Sequence, residues 1–278
     1  MRRFSSPAVC LALASAIALA PAVARARQAA DPELADFQQI GTYALEVDGR
    51  DLPKAEIYKS DRSAAILIMV SELPSPVLLN PGSFAVETVN LMKVSKQPDG
   101  SIDLLGGATL QSQGAFQVDG EKVVFTADGH NIALKPRPPL LKLQTGAALF
   151  AFNPEYGRNA KGYEPDSAVV KALRGQNKPV RVLTVFGSWC PHCTQFVPRL
   201  LRVEQAIGAS KIKFDYYGVP RGPEMTKDPA IASLSIKGVP TGIVYVGDKE
   251  IGRILGNGWA NPEATLQNLL QVGSSIAR

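Results

Sequence analysis

Cys190 and Cys193 stand two residues apart in GSWCPHCT (187–194), with Pro191 and His192 between them and Trp189 in front. Two thiols at that spacing can hold a metal, cross-link the chain or exchange electrons with other thiols. A structural zinc site wants four Cys or His ligands. The sequence has only two histidines, His192 and the distant His130 in an expected β-turn. A Cys-x-x-Cys-His haem attachment fails because residue 194 is threonine. Copper handling stays open as an alternative. A cross-link that closes two residues removes little chain entropy and so stabilises little. Thiol–disulfide exchange is the chemistry this spacing serves best.

Exchange needs one ionised thiol and one held in reserve, and the flanking elements suggest which is which. Cys190 falls where the apolar run Val180–Phe186, a buried-strand pattern, gives way to an expected helix from about Cys190 to Ile207. A cysteine at a helix N-terminus faces unpaired N–H groups and the positive end of the helix dipole, which favour thiolate over thiol. Cys193, one turn further in, is expected to be more buried and less ionised. That asymmetry makes Cys190 the exposed attacker and Cys193 the thiol that resolves the mixed disulfide. His192, when protonated, stabilises the thiolate further. A stabilised dithiol makes the corresponding disulfide a stronger oxidant.

The elements that position this pair occupy the second half of the sequence. Pro165-Asp166-Ser167 followed by AVVKALRG has a helix start signal and a glycine stop at 175. Strands are expected over 180–186, 211–219, 242–246 and 250–255, with helices near 190–207, 229–234 and 262–272. The order is that of a mixed α/β domain. The first half reads differently. Short apolar runs between 43 and 134 are separated by Asp-Gly pairs at 48–49, 99–100, 119–120 and 128–129. Asp-Gly between alternating runs is a hairpin signal, so residues 38–145 are expected to form a small all-β domain, a sandwich or open barrel. The proline-rich KPRPPLLKL (135–143) marks the boundary, and 146–164 is expected to be a linker.

At the N-terminus, Arg2 and Arg3 precede the apolar stretch Ala8 to Ala20 and the small residues of APAVARA. This is the pattern of a secretory signal peptide, expected over 1–26 with cleavage near Ala24 or Ala26. A twin-arginine signal and an uncleaved anchor are the alternatives. Removing it deletes three arginines and no acid, so the formal charge falls from +5 to +2. A near-neutral chain with scattered lysines and arginines has no electrostatic footprint for nucleic acid. It also leaves Cys190 and Cys193 as the only cysteines, in an exported setting where disulfides persist.

Beyond the Cys-x-x-Cys pair, several residues resemble those of thioredoxin-fold oxidoreductases over roughly 165–275. Trp189 precedes the first cysteine, as in many thioredoxins. Pro198 lies where that family kinks its active-site helix. GVPT (238–241) looks like the family's cis-proline loop, and Gly256 matches the glycine of the last strand. The resemblance implies an α/β thioredoxin fold in the C-terminal domain, 165–278, beside the small N-terminal all-β domain. It also implies that Trp189, Val239 and Pro240 meet the substrate chain while Pro191 and His192 tune the redox potential. The tetrapeptide CPHC is that of DsbA-type oxidases, which lie near −120 mV against about −270 mV for thioredoxin. The sequence departs from DsbA in having no room for a helical insertion between Cys193 and Pro240, and its body is similar to TlpA-type reducing thioredoxins. It departs from thioredoxin at Thr184, where that family has a buried acid. Asp215 and Glu204 are the nearby acids that could substitute.

The sequence therefore leads to an exported, periplasmic thiol–disulfide oxidoreductase. Its redox centre would be the Cys190–Cys193 disulfide, with no other cofactor and no metal. Its partners would be protein thiols or disulfides and an upstream redox protein, with a homodimer through the β domain as one use of that domain. The rival reading is a non-catalytic partner-binding or copper-handling module.

Overall fold

The computed structural model describes residues 34–275; the expected signal peptide and Cys10 lie outside them. The first half is built from thirteen strands: β1 Phe37–Ile40, β2 Tyr43–Val47, β3 Arg50–Leu52, β4 Glu56–Ser60, β5 Ile66–Met69, β6 Val77–Asn80, β7 Ala85–Val89, β8 Val94–Lys96, β9 Ile102–Leu104, β10 Leu110–Ala115, β11 Gln117–Asp119, β12 Lys122–Ala127 and β13 His130–Pro136. They form an eight-stranded sheet in the order β10-β7-β6-β5-β4-β1-β9-β8 and a five-stranded sheet in the order β11-β12-β13-β2-β3. Every pairing in both sheets is antiparallel. The Asp-Gly pairs at 48–49 and 128–129 turn β2 into β3 and β12 into β13, with positive φ at both residues of each pair. That geometry matches the twist of a two-residue hairpin.

Alternation along the central strands explains why the larger sheet curls. Ile57, Ile68, Val77 and Leu79 point to a core shared with Leu45, Phe125, Ile132 and Leu134 of the smaller sheet. Their neighbours Tyr58, Leu67 and Leu78 point to the opposite face and close a second core with Phe37, Val89, Ile102 and Leu104. A sheet apolar on both faces must cover both. It does so by curling into an antiparallel half-barrel, with the smaller sheet against the other face.

The second half begins with β14 Lys142–Gln144 and three helices, α1 Gly146–Phe152, α2 Pro154–Lys161 and α3 Ser167–Arg174. It continues through β15 Val180–Phe186, α4 Pro191–Ile207, β16 Ile212–Gly218, the short α5 Pro229–Ala232, β17 Thr241–Val246, β18 Lys249–Ile254 and α6 Pro262–Ser275. The sheet order is β14-β16-β15-β17-β18, in which only β15 and β16 run parallel. Along β15, Val180, Val182 and Phe186 face α3, α4 and α6, while Leu183 and Val185 face the opposite core with Ile231, Ile236 and Ile243. Among the described residues no helix is long and apolar enough to cross a membrane.

This architecture corrects the expected fold class, an α/β thioredoxin fold with a small all-β domain. The chain is mostly β-sheet, in three sheets, with helices making up 29% of it. The β half is a large part of the molecule because both faces of its main sheet are apolar, which a hairpin count does not reveal. The C-terminal sheet also gains the antiparallel edge strand β14 from the end of the proline-rich segment. That strand can approach because Gly218 has no Cβ: one would collide with the Leu140 carbonyl oxygen. The stretch 146–164, expected to be a linker, instead holds α1 and α2. Thr145 caps α1 by accepting from the Ala148 amide, and Asn153 caps α2 by accepting from Glu155. The buried Leu149 and Tyr156 carry these helices into the same core as α4.

Candidate active site

The site is assembled at the junction of β15 and α4. Cys190 is the N-cap residue of α4, with extended φ and ψ of −94° and 120°, and Pro191 occupies the first helical turn. Proline suits that position because its missing N–H has no partner there anyway. Cys190 and Cys193 lie 3.5 Å apart, with no bond between their sulfurs. The Gly187 amide donates to the Cys193 sulfur at 3.4 Å, and the Cys190 thiol points to the Val239 carbonyl at 3.7 Å.

The two thiols are driven in opposite directions. The Cys190 thiol is lowered to about 6, first by its hydrogen bond with Cys193, then by the amides of Cys193 and His192 and the charge of His192, against a burial cost. Burial pushes Cys193 far up, and the hydrogen bond and negative charge of Cys190 push the same way; the Gly187 amide opposes them. One thiol is thus ready to ionise and the other stays protonated. The expectation that Cys190 is exposed needs correcting: it is 7% exposed and Cys193 fully buried. The cover comes from the Val239 loop and from Trp189, which packs against the same core.

Pro191 and His192 are both exposed. The His192 ring stacks on Phe196, one turn along α4, at 6.4 Å and 12°. The Val239–Pro240 peptide is cis. Trp259, buried in the turn Gly256–Trp259, donates its indole N–H to the Pro240 carbonyl at 3.1 Å. Trp189 donates to the Val219 carbonyl at 2.9 Å, with the Arg221 guanidinium 5.4 Å from its ring. Both tryptophans of the sequence therefore brace backbone around the thiols. A cleft of about 610 Å³ opens beside them, lined by His192, Phe196, Val239, Pro240 and Leu255. A second, of about 470 Å³, lies on the other side of Trp189, where Tyr43, Glu121 and Arg137 of the β half meet Ser188 and Arg221.

Neither acid suggested as a substitute for Thr184 adjoins the sulfurs. Asp215 pairs with Leu183 across the sheet, so it faces away from Thr184. Burial raises its pKa, but Arg181 at 2.6 Å and Lys213 at 3.2 Å outweigh that and hold the carboxyl low. Glu204 is eleven residues beyond Cys193 on α4, about 16 Å along the helix. Burial raises it, and it accepts from Tyr216 at 2.7 Å. What sequence reasoning missed lies on α2. Tyr156 is fully buried in the core that holds both cysteines, and its hydroxyl lies beside Thr194 with no hydrogen-bond partner among the described residues. Only the helical spacing of Leu149, Phe152, Tyr156 and Ala160 could have signalled this buried face.

Among the described residues no group of three or more Cys, His, Asp or Glu side chains is placed to hold a metal. No family model matches the chain, and no curated protein does. Among solved structures it is similar to a protein of unknown function from Pseudomonas aeruginosa, at 16% identity over 48% of this chain and 92% of that one, with a TM-score of 0.35. It is also similar to thioredoxin f2 of Chlamydomonas reinhardtii, at 21% identity over 38% of this chain and 94% of that one, and to thioredoxin f of spinach chloroplast, at 18% over 35% and 76%, each with a TM-score of 0.27.

Proposed function

We propose that this protein is an exported thiol–disulfide oxidoreductase acting on the thiols or disulfides of other proteins. One observation carries the reading: a thiol lowered to about 6 at a helix N-terminus, hydrogen-bonded to a second, buried thiol that stays protonated. In the reducing direction the Cys190 thiolate attacks a substrate disulfide. A Cys190–substrate disulfide forms, and the first substrate sulfur leaves as a thiolate and takes a proton from water. Cys193 then loses its proton and attacks the Cys190 sulfur. The Cys190–Cys193 bond forms, the Cys190–substrate bond breaks, and the second substrate sulfur leaves as a thiolate. That thiolate takes up a proton from water, equal to the one Cys193 released to it, with two electrons transferred in all. Oxidation is the same path reversed. The cleft at His192, Phe196 and the Val239 loop receives the substrate segment, and Pro191 and His192 set the poise. His192 favours the ionised dithiol, which inclines the couple towards oxidation. An upstream redox protein returns the pair to its working state.

Replacing Cys193 with Ser removes the resolving sulfur and leaves the attacker. The Cys193→Ser protein, expressed with its leader, accumulates mixed disulfides that reductant releases on a non-reducing gel. A Cys190→Ser, Cys193→Ser protein accumulates none. Equal recovery from both proteins, or no adduct from either, refutes the assignment.

A further inference from the structure

Resolution asks the less ionisable of the two described thiols to become a thiolate. Cys193 is fully buried, and in the resting state its one backbone donor is the Gly187 amide. The mixed disulfide removes Cys190 as a hydrogen-bonding thiol, so the ionising sulfur needs a donor from elsewhere in the same core. Two buried hydroxyls there lack partners: Thr184 on β15 and Tyr156 on α2. A phenol is much the stronger acid and donor of the two. Tyr156 also lies beside Thr194, the residue after Cys193, and both cysteines act on its ionisation.

We infer that the Tyr156 hydroxyl donates a hydrogen bond to the Cys193 sulfur as that thiol ionises to resolve the mixed disulfide. The inference rests on the exchange chemistry proposed above. Tyr156 keeps its proton throughout: burial first, then the negative forms of Cys193, Cys190 and Glu155, oppose its ionisation and outweigh the Thr194 side chain, which favours it. At rest its hydroxyl has no hydrogen-bond partner among the described residues, although it lies beside Thr194, whose own hydroxyl donates to the Cys190 carbonyl at 3.3 Å. The cost of an unsatisfied buried hydroxyl is tolerated at a functional site when the surroundings fix the group. Here they do. Asn159 donates to the Thr194 carbonyl at 2.9 Å and ties α2 to α4. Arg158 donates to the Gln39 carbonyl at 2.7 Å and ties α2 to β1. Asn153 accepts from the Gly41 amide at 3.1 Å. The β half thus holds one side of α2 and the redox helix the other, with Tyr156 between them.

The test uses an aromatic disulfide that releases coloured thionitrobenzoate twice, once on attack by Cys190 and once on resolution by Cys193. Tyr156→Phe keeps the ring and removes the donor. We expect an unchanged first phase and a second phase slowed about tenfold, the scale of one hydrogen bond to a charged group. The pH at which the second phase is half-maximal moves up, and the melting temperature does not fall. Equal second phases in the two proteins overturn the inference, as does a lower melting temperature with unchanged rates. If Cys190 never attacks, the proposed function fails, yet the inference is still tested in the Cys190→Ser protein. There the rate at which Cys193 reacts with the same aromatic disulfide follows its thiolate fraction at each pH, and Tyr156→Phe lowers that rate about tenfold along the whole pH curve. Coincident curves overturn the role of Tyr156 on their own.

Discussion

The two halves of this molecule treat buried polar groups differently. In the β half, Ser60 donates to the Ala35 carbonyl, Thr88 accepts from Gln113 and Ser101 donates to Asp99. Its one orphaned buried side-chain atom among the described residues is a carboxylate oxygen of Asp128, in a hairpin turn. In the C-terminal half, Asn153, Asp215 and Glu263 are likewise fully engaged. The orphans there are Thr184 and Tyr156, both in the core around the reactive pair. An unsatisfied buried hydroxyl costs about 1–3 kcal/mol. The β half spends its sequence on covering two apolar faces, whereas the other half leaves unpaired groups beside the thiols to which the exchange chemistry is assigned by proposal.

That contrast predicts a large pH effect confined to one residue. Only the thiolate of Cys190 is nucleophilic, and its pKa is lowered to about 6. Alkylation of Cys190 in the wild-type protein measures it, because Cys193 stays protonated, whereas a Cys193→Ala protein lacks the largest lowering cause. The midpoint in that protein therefore lies above the wild-type one. In the wild-type protein the rate is flat above the midpoint and falls about tenfold per pH unit below it, because the thiolate fraction does. A wild-type midpoint near that of an ordinary cysteine, about 8.5, breaks the comparison by removing the special status of the site.

A smaller effect tests whether the halves are mechanically joined. Gly41, between β1 and β2, lies against the α1–α2 corner: a Cβ there would sit 2.5 Å from the Phe152 carbonyl oxygen and 2.7 Å from the Asn153 Cα. Both are backbone atoms that cannot swing aside. Gly41→Ala therefore forces the corner away and loosens the Gly41–Asn153 hydrogen bond. The expected cost is about 1–3 kcal/mol by urea unfolding, the scale of overpacking. Because α2 carries Tyr156, the second thionitrobenzoate phase slows as well. A variant that loses stability but resolves at the wild-type rate shows that the β half supports the fold without supporting the chemistry.

Much of the C-terminal half was legible because its signals are local. Asp166 and Gly175 bracket α3, β15 is a continuous apolar run, and Cys190 stands at a strand-to-helix boundary that any helix N-terminus would electrify. The Asp-Gly turns likewise announced the hairpins at 48–49 and 128–129. What the sequence hid depends on long-range contact. Lys142–Gln144 follows a proline-rich stretch and becomes a strand only because Gly218 lets it approach β16. The helices α1 and α2 are short and interrupted at Asn153-Pro154, and they gain their order from burying Leu149 and Tyr156. The cover over Cys190 comes from Val239, forty-nine residues away, which no spacing around the cysteines could announce.

The smallest expected effect separates the two orphaned hydroxyls from each other. Thr184 lies between Val182 and Phe186 on the face of β15 that packs under α4, is fully buried, and pairs by backbone with Tyr216 and Gly242. Thr184→Val keeps the β-branched shape that suits a central strand and removes only the unpaired hydroxyl. Relief of that cost is expected to raise stability by about 1 kcal/mol, read as a higher urea midpoint with an unchanged slope. Both thionitrobenzoate phases stay at the wild-type rate, since Tyr156 supplies the donor. If Thr184→Val slows resolution while Tyr156→Phe does not, the donor sits on the strand and not on α2. The burden of the unpaired groups would then lie within the redox sheet itself, and the β half would have no part in holding the group that acts.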